Sequence, residues 1–340
     1  MIVLLTLLIA SCVNALGSIS LAEFKAHPIP KFAESLEGQD LVDYINIVQP
    51  FFTANLSAAS EHQLLDEKFL SLDSEERAEE IPINVDIPES YDARTAWPQC
   101  NSIKIIRDQS KCGSCWAVSA ASAMSDRLCV QSKGAIQTMV SDADILSCCG
   151  SFCGYGCNGG YPIRAWQYIV STGTCSGGPY NTKGVCKPYP FRPCGWHKGQ
   201  GFHLPCLFPF STPECKKECQ KGFTKKYEED KIYGKKAYAV QSSVEAIQKE
   251  IMINGPVQAG FIVYSDFSFY KKGIYVHTAG MKQGGHAVKI IGWGVEKDTP
   301  YWLIANSWNY DWGENGTFRM VRGRNECGIE QMIVAGSMVE

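Results

Sequence analysis

A chain of 340 residues, 45% hydrophobic and 20% charged, has the material for one large or two packed globular domains and is not a disordered chain. Its net charge of −3 gives no electrostatic ground for nucleic-acid binding.

The first stretch, MIVLLTLLIASCVNALGS, holds an apolar run too short to span a membrane. Small residues Val13 and Ala15 then occupy the −3 and −1 positions of a cleavage site. Residues 1–15 read as a signal peptide without a basic start, so the mature protein is expected to be soluble and in the secretory pathway. Sixteen cysteines in such a chain imply a disulfide framework. Cys12 leaves with the leader, and the odd remainder leaves at least one unpaired thiol, either a buried spare or a working group.

Residues 16–86 contain no cysteine and carry fourteen acidic against four basic residues. Residues 87–340 carry 28 basic and 21 acidic residues. The acidic segment is either a solvated helical arm or a detachable prosegment held partly by charge. The boundary falls at Pro82–Pro88, where IPINVDIPES cannot continue a helix. Asn55 begins a glycosylation sequon here, and Asn315 begins another downstream.

From Ser114 to about Gln131 the spacing predicts a helix. Residues 141–225 read as loop-rich, full of Cys, Gly and Pro. Within them CGWHKGQGFHLPC, 194–206, admits three readings: a metal site, a disulfide-closed surface loop, or part of an active site. KKYEEDKIYGKK reads as a solvated charged face. From Ala237 strand-like runs dominate: AYAVQ, GPVQAGFIVY, HAVKIIGWG, YWLIANSW, TFRMVRG and IVAGSMV. A helical, disulfide-stapled half (about 100–236) thus precedes a β half (about 237–340), with a natural site in the cleft between them.

RDQSKCGSCWAVSAA, 107–121, is the most informative stretch. Its C-x-x-C, Cys112 and Cys115, has three readings. A zinc knuckle needs a second ligand pair; Cys148, Cys149, Cys153 and Cys157 offer one, but the secretory route would oxidise such thiols. A thioredoxin-like pair needs a strand before it, and the residues there are polar. The third reading is a nucleophilic Cys115 at a helix N-terminus, where the helix dipole and free N–H groups favour the thiolate.

CGSCW fits the signature C-G-[SA]-C-[WY] of papain-like proteases. GGHAVKIIGWG then supplies His286 and YWLIANSWNYDWGENG supplies Asn306. YDARTAWPQC, CCGSFCGYGCNGGYP and NGPVQAGFIVYSDF resemble cathepsin B, so residues 87–340 resemble the cathepsin B-like branch of the papain family. The resemblance implies an α+β papain-like fold and a cysteine endopeptidase precursor with no cofactor and no metal. Cys115 would attack the peptide carbonyl, His286 would pair with it, Asn306 would orient His286, and Gln109 would help form the oxyanion hole. Trp308 would shield the Asn306–His286 bond. Gly159, Gly160, Tyr161, Pro162, Gly260, Ala287, Trp308, Met332 and His197 would line substrate subsites. The implied disulfides are Cys100–Cys129, Cys112–Cys157, Cys148–Cys215, Cys149–Cys153, Cys186–Cys219 and Cys194–Cys206. Cys175 is either a spare or a partner for Cys327. Protein and peptide substrates, the chain's own propeptide and cystatin-type inhibitors are the implied partners of a monomer. Secretion, as into a gut lumen, or a lysosome is the implied destination.

Three departures stand out. Residues 194–206 lie where cathepsin B carries its occluding loop, whose two adjacent histidines hold a substrate's C-terminal carboxylate. Here Trp196 replaces the first and His197 remains. Trp196 cannot pair with Asp108, and His203 falls near the position of an arginine that would anchor the loop to Asp311. A mobile loop and endopeptidase action are therefore expected, unless Trp196 packs on the body. Met332 stands where an S2-pocket glutamate is common, which implies an apolar P2 preference. The acidic segment is expected to dock partly by charge and to loosen as its carboxylates protonate.

Overall fold

The computed structural model describes residues 19–56, 63–72 and 85–339. The signal-peptide stretch, Cys12, Ser57 of the first sequon and Pro82 lie outside them.

Helix α3, Cys115–Gln131, forms the centre of the helical half. Every residue from Cys115 to Val130 is buried. A helix buried on all sides has no polar face, and here Ala117, Ala120, Ala121 and Ala123 let its neighbours approach. Helices α4 (Asp142–Cys148) and α5 (Pro162–Ser171) pack against it. The sequence reading left both inside a loop-rich stretch. Their start signals were nonetheless present: the Ser141 hydroxyl accepts the Asp144 N–H at 3.1 Å, and Pro162 stands in the first turn of α5.

The β half is built on a nine-stranded sheet. Its strands are β1 (Phe52–Ala54), β2 (Tyr91–Asp92), β3 (Lys236–Ala239), β4 (Val257–Tyr264), β5 (Tyr270–Tyr275), β6 (Lys282–Glu296), β7 (Thr299–Ala305), β8 (Thr317–Val321) and β9 (Met332–Ser337). The order runs β1-β5-β8-β7-β6-β4-β9-β3, with β2 beside β6. Strand β6 lies between β4 and β7, and ten consecutive residues from Gly285 to Gly294 are buried. Burial on both faces explains why its sequence is apolar in a run instead of alternating. Helix α6 (Val244–Asn254) interrupts the strands and was missed. Ser243 caps it by accepting the Ala246 N–H, and Gly255 ends it at φ +103°, where a side chain would be strained.

Buried ions join the two halves. The Arg127 guanidinium on α3 donates to Glu250 at 2.7 Å and to the carbonyls of Pro256 and Gly336. Lys289 on β6 donates to Asp126 at 2.6 Å, and burial pulls its pKa down against that pull. Among the described residues six disulfides staple the helical half: Cys100–Cys129, Cys112–Cys157, Cys148–Cys215, Cys149–Cys153, Cys186–Cys219 and Cys194–Cys206. Cys115, Cys175 and Cys327 are free. Cys175 packs with Cys186 and Tyr227, whereas Cys327 packs on the β-half core, so they do not pair with each other.

The described part of the acidic N-terminal segment packs apolar side chains into the body. Helices α1 (Leu21–Lys25) and α2 (Gly38–Val48) put Leu21, Leu41, Val42 and Ile45 into the β-half core beside Phe52. Strand β1 pairs antiparallel with β5, Phe52 opposite Gly273. Among the described residues two ion pairs cross this boundary, Glu67–Lys282 and Lys25–Glu326. The first has the expected sense, an acid of the N-terminal segment against a basic residue of the body, and the second uses a lysine of the acidic segment.

Candidate active site

Cys115 is the first residue of α3, with Ser114 before it as N-cap. Backbone N–H groups of Ala287, Trp116 and Cys115 itself point at the thiol, but complete burial outweighs them and pushes it up to about 12. Ala287 follows His286 on β6, so the strand that brings this N–H also brings the imidazole. His286 Nε2 donates to Asn306 Oδ1 at 2.7 Å. That oxygen also accepts the Ser307 N–H at 2.8 Å, which fixes which end of the amide faces the ring. Trp308 stacks on His286 at 4.8 Å between ring centroids and is buried. Asn306 and Trp308 are there because they follow β7 directly, next to β6 in the sheet.

Gln109 is fully buried. Its Oε1 accepts the Ser307 hydroxyl at 2.8 Å, which turns its Nε2 toward the cleft. Nε2 donates to the carbonyl of Cys112 and to that of Gln63, both at 3.0 Å. The Tyr189 hydroxyl donates to the Gln109 carbonyl and bonds Ser114 Oγ, each at 2.7 Å. Ser307, Tyr189 and Gln63 were absent from the sequence reading. Ser307 sits between two residues that were singled out, Asn306 and Trp308. Tyr189 and Gln63 had no local signal, because their role comes from long-range packing.

Residues 63–72 run through the cleft as a peptide would. Leu65 exchanges both backbone hydrogen bonds with Gly285, at 3.0 and 2.8 Å. Phe69 lies against Gly159, where an added Cβ would come within 2.5 Å of its ring, and meets Tyr161 edge-on. A Cβ at Gly160 would meet Trp116 and the Cys153 carbonyl, so that position needs a glycine. Tyr161 is half-buried and Pro162 is buried at the start of α5. Leu70, with Asp66, Glu67, Lys68 and Leu72, lines a pocket of about 680 Å³ whose other walls include Gly260, Phe261, Cys327, Gln331 and Met332. Sheet register explains this grouping: Gly260 on β4 lies opposite both Ala287 on β6 and Met332 on β9.

The loop 194–206 requires corrections. His197, expected to face substrate, instead places Nδ1 2.9 Å from Asp311 Oδ1, with Nε2 4.0 Å from Asp108. His203, expected to reach Asp311, stands edge-to-face on Tyr180. One histidine thus spans toward both carboxylates. Gln200 adds a second tie, donating to Asn309 at 2.8 Å, and Asn309 donates to Asp108 at 2.8 Å. Trp196 is 66% exposed and does not pack on the body. The loop is therefore anchored, by groups other than those expected.

Among the described residues one group has metal-ligand spacing, Cys175, Cys186 and Asp230, but Cys186 is in a disulfide and the group lies outside the cleft. Asn55 and Asn315 are exposed, Asn315 in a turn at φ +55°.

The family described as papain family cysteine protease matches residues 87–337. Cathepsin B-like cysteine proteinase 1 of Ostertagia ostertagi is 50% identical over 339 residues, covering 98% of this chain and 99% of its own. A gut-specific cysteine proteinase of Caenorhabditis elegans is 48% identical over 309 residues, covering 89% of this chain and 91% of its own. The structure of proCathepsin B S9 from Trypanosoma congolense superposes with a TM-score of 0.74 at 35% identity, over 88% of this chain and 98% of that one.

Proposed function

The chain belongs to the papain family of cysteine proteases as a cathepsin B-like member, and on that premise we propose that it is a zymogen whose mature part, 87–340, is mainly an endopeptidase. Residues 1–15 are its signal peptide and 16–86 its propeptide. One observation carries the catalytic assignment: a peptide carbonyl, that of Gln63, sits 3.0 Å from Gln109 Nε2. A substrate carbonyl in that position would be attacked by the Cys115 thiolate. The oxyanion would be held by Gln109 Nε2–H and the Cys115 N–H. His286, oriented by Asn306, would give its proton to the leaving amine, and water would then release the acyl group from sulfur. The test is covalent labelling of the activated enzyme by an epoxysuccinyl inhibitor. Labelling should map to Cys115 and vanish, with activity, in Cys115→Ala; retained activity in that variant sinks the assignment.

Two finer readings rest on their own observations. The pocket lined by Leu70, Gly260 and Met332 supports an apolar P2 preference, because the described mature-domain residues lining it include no carboxylate. Faster turnover of an Arg-Arg than of a Phe-Arg substrate would overturn it. Engagement of His197 by Asp311 supports endopeptidase action, because the imidazole left to receive a C-terminal carboxylate is already occupied. Likeness to a gut-specific relative supports digestion of dietary protein, haemoglobin included, by enzyme secreted into a gut lumen or held in lysosomes.

A further inference from the structure

The two donors assigned to the oxyanion hole sit on different parts of one turn. One is the Gln109 side chain. The other is the Cys115 N–H, which belongs to the peptide between Ser114 and Cys115. One oxygen reaches both residues that carry them: the Tyr189 hydroxyl, 2.7 Å from the Gln109 carbonyl and 2.7 Å from Ser114 Oγ. A carbonyl only accepts, so the phenol proton goes to Gln109 and the Ser114 hydroxyl donates to Tyr189. Burial pushes the phenol well above its ordinary range, so that proton is kept. The residue is itself held firmly. Its ring is buried and meets Phe191 edge-on at 5.6 Å, Phe191 stacks on Phe210 at 4.5 Å, and the Tyr189 N–H donates to the Gly178 carbonyl at 2.8 Å.

Ser114 gives a second, independent sign. A serine before a helix ordinarily turns its hydroxyl onto an N–H of the first turn. Ser114 makes no such bond, and at φ −101° and ψ 10° it lies outside the extended conformation of a usual cap. Its hydroxyl goes to Tyr189 instead, which leaves the start of α3 without a side-chain cap at the end where Cys115 sits. Gln109 is held at both ends: Ser307 fixes its Oε1, and Tyr189 fixes the backbone from which the side chain grows. We propose that Tyr189 is a positioning residue, whose hydroxyl, bound to the Gln109 carbonyl and Ser114 Oγ, sets the spacing of the two oxyanion donors, Gln109 Nε2–H and the Cys115 N–H. This role rests on the oxyanion reading given above. Donors of this kind act because they are in place before charge develops, so a small displacement is felt in the transition state more than in the bound substrate.

The test sets steady-state kinetics of the activated enzyme on one dipeptide amide substrate beside the rate of Cys115 alkylation by iodoacetamide. Amide cleavage builds an oxyanion, whereas displacement of iodide by sulfur builds none. Tyr189→Phe keeps the ring and removes only the hydroxyl. It should lower kcat about tenfold with KM within about twofold, while alkylation stays within about twofold of wild type. Ser114→Ala cuts one of the two bonds and should lower kcat about threefold in the same selective way, which decides the matter if Tyr189→Phe does not fold. In a Gln109→Ala background Tyr189→Phe should cost less than about threefold, because one of the donors it positions is gone. Full kcat in both variants, alkylation falling in step with kcat, or losses that simply multiply with that of Gln109→Ala would overturn the role and leave the oxyanion reading standing. Full kcat in Gln109→Ala itself would sink the oxyanion reading and this role with it.

Discussion

Replacing His197 by alanine separates two roles that one imidazole cannot play together. The bond to Asp311, at 2.9 and 3.1 Å to its two oxygens, connects a largely buried ring to a half-exposed carboxylate. Such a bond contributes about 1 kcal/mol net. The Gln200–Asn309 bond and the Cys194–Cys206 disulfide remain, so the loop loosens without unfolding. A loss of about 1 kcal/mol raises the share of open loop about fivefold if the closed form dominates. If the loop limits access to the primed end of the cleft, kcat/KM for long peptides with amidated C-termini should rise by up to about that factor. Substrates ending in a small leaving group just after the scissile bond should be unaffected, since they do not meet the loop. The assay compares both substrate types, and matched peptides with free C-termini, in wild type and His197→Ala. A selective loss of activity on free carboxylates, with no gain on amidated peptides, would refute the anchor and make His197 a substrate ligand.

Other positions give sharper single outcomes. Gln109→Ala should lower kcat by about 10²–10³ with KM little changed, because the amide acts on charge that develops in the transition state; steady-state kinetics on one dipeptide substrate decides it. In the zymogen, burial raises the Cys115 thiol to about 12. A raised thiol pKa means the neutral form persists through alkaline pH, so alkylation by iodoacetamide should climb steeply only toward pH 12. Removal of residues 63–72 relieves that burial, and the mature enzyme should react at much lower pH; identical profiles for the two forms would contradict this. Arg127→Ala removes the buried Glu250's charge partner, leaving it only the Tyr238 hydroxyl, and takes the guanidinium from the carbonyls of Pro256 and Gly336. Breaking a buried pair costs about 3–5 kcal/mol, which thermal or denaturant unfolding of the mature form should register.

What was legible in the sequence follows from how local each signal was. Helix α3 and the strands β4, β6, β7, β8 and β9 announce themselves by period and by apolar runs, and the structure has them within a few residues. Helix α6 was missed because the strand-rich segments on either side dominated the reading, although Ser243 and Gly255 marked its ends. Strand β5 was missed for a different reason: its burial pattern begins with Tyr270, then exposes Lys271 and Lys272, and its neighbours are β1 from the N-terminal segment and β8, in parallel. No short window of sequence contains either pairing. The same distinction runs through the site. Cys115, His286 and Asn306 lie in strings long enough to be read singly.

The ties of the loop were read from family positions, and the substitution at Trp196 made that inference fail. Once an aromatic side chain takes the place of the first imidazole, Asp108 and Asp311 both remain, two carboxylates facing one loop. The partner that reaches them is settled by geometry: His197 is the ring within range of both, while His203 is held at Tyr180. Loss of one histidine therefore does not simply delete one anchor and leave the other residues in their former roles. It transfers the anchoring to the histidine that remains, whose Nδ1 then faces Asp311. Under the proposed endopeptidase reading the cause differs from the one expected: the imidazole is engaged elsewhere and the loop is tied, so access must come from breaking the bond to Asp311. That is why His197→Ala should increase cleavage of long amidated peptides, whereas a loop already free would show no response to the same change.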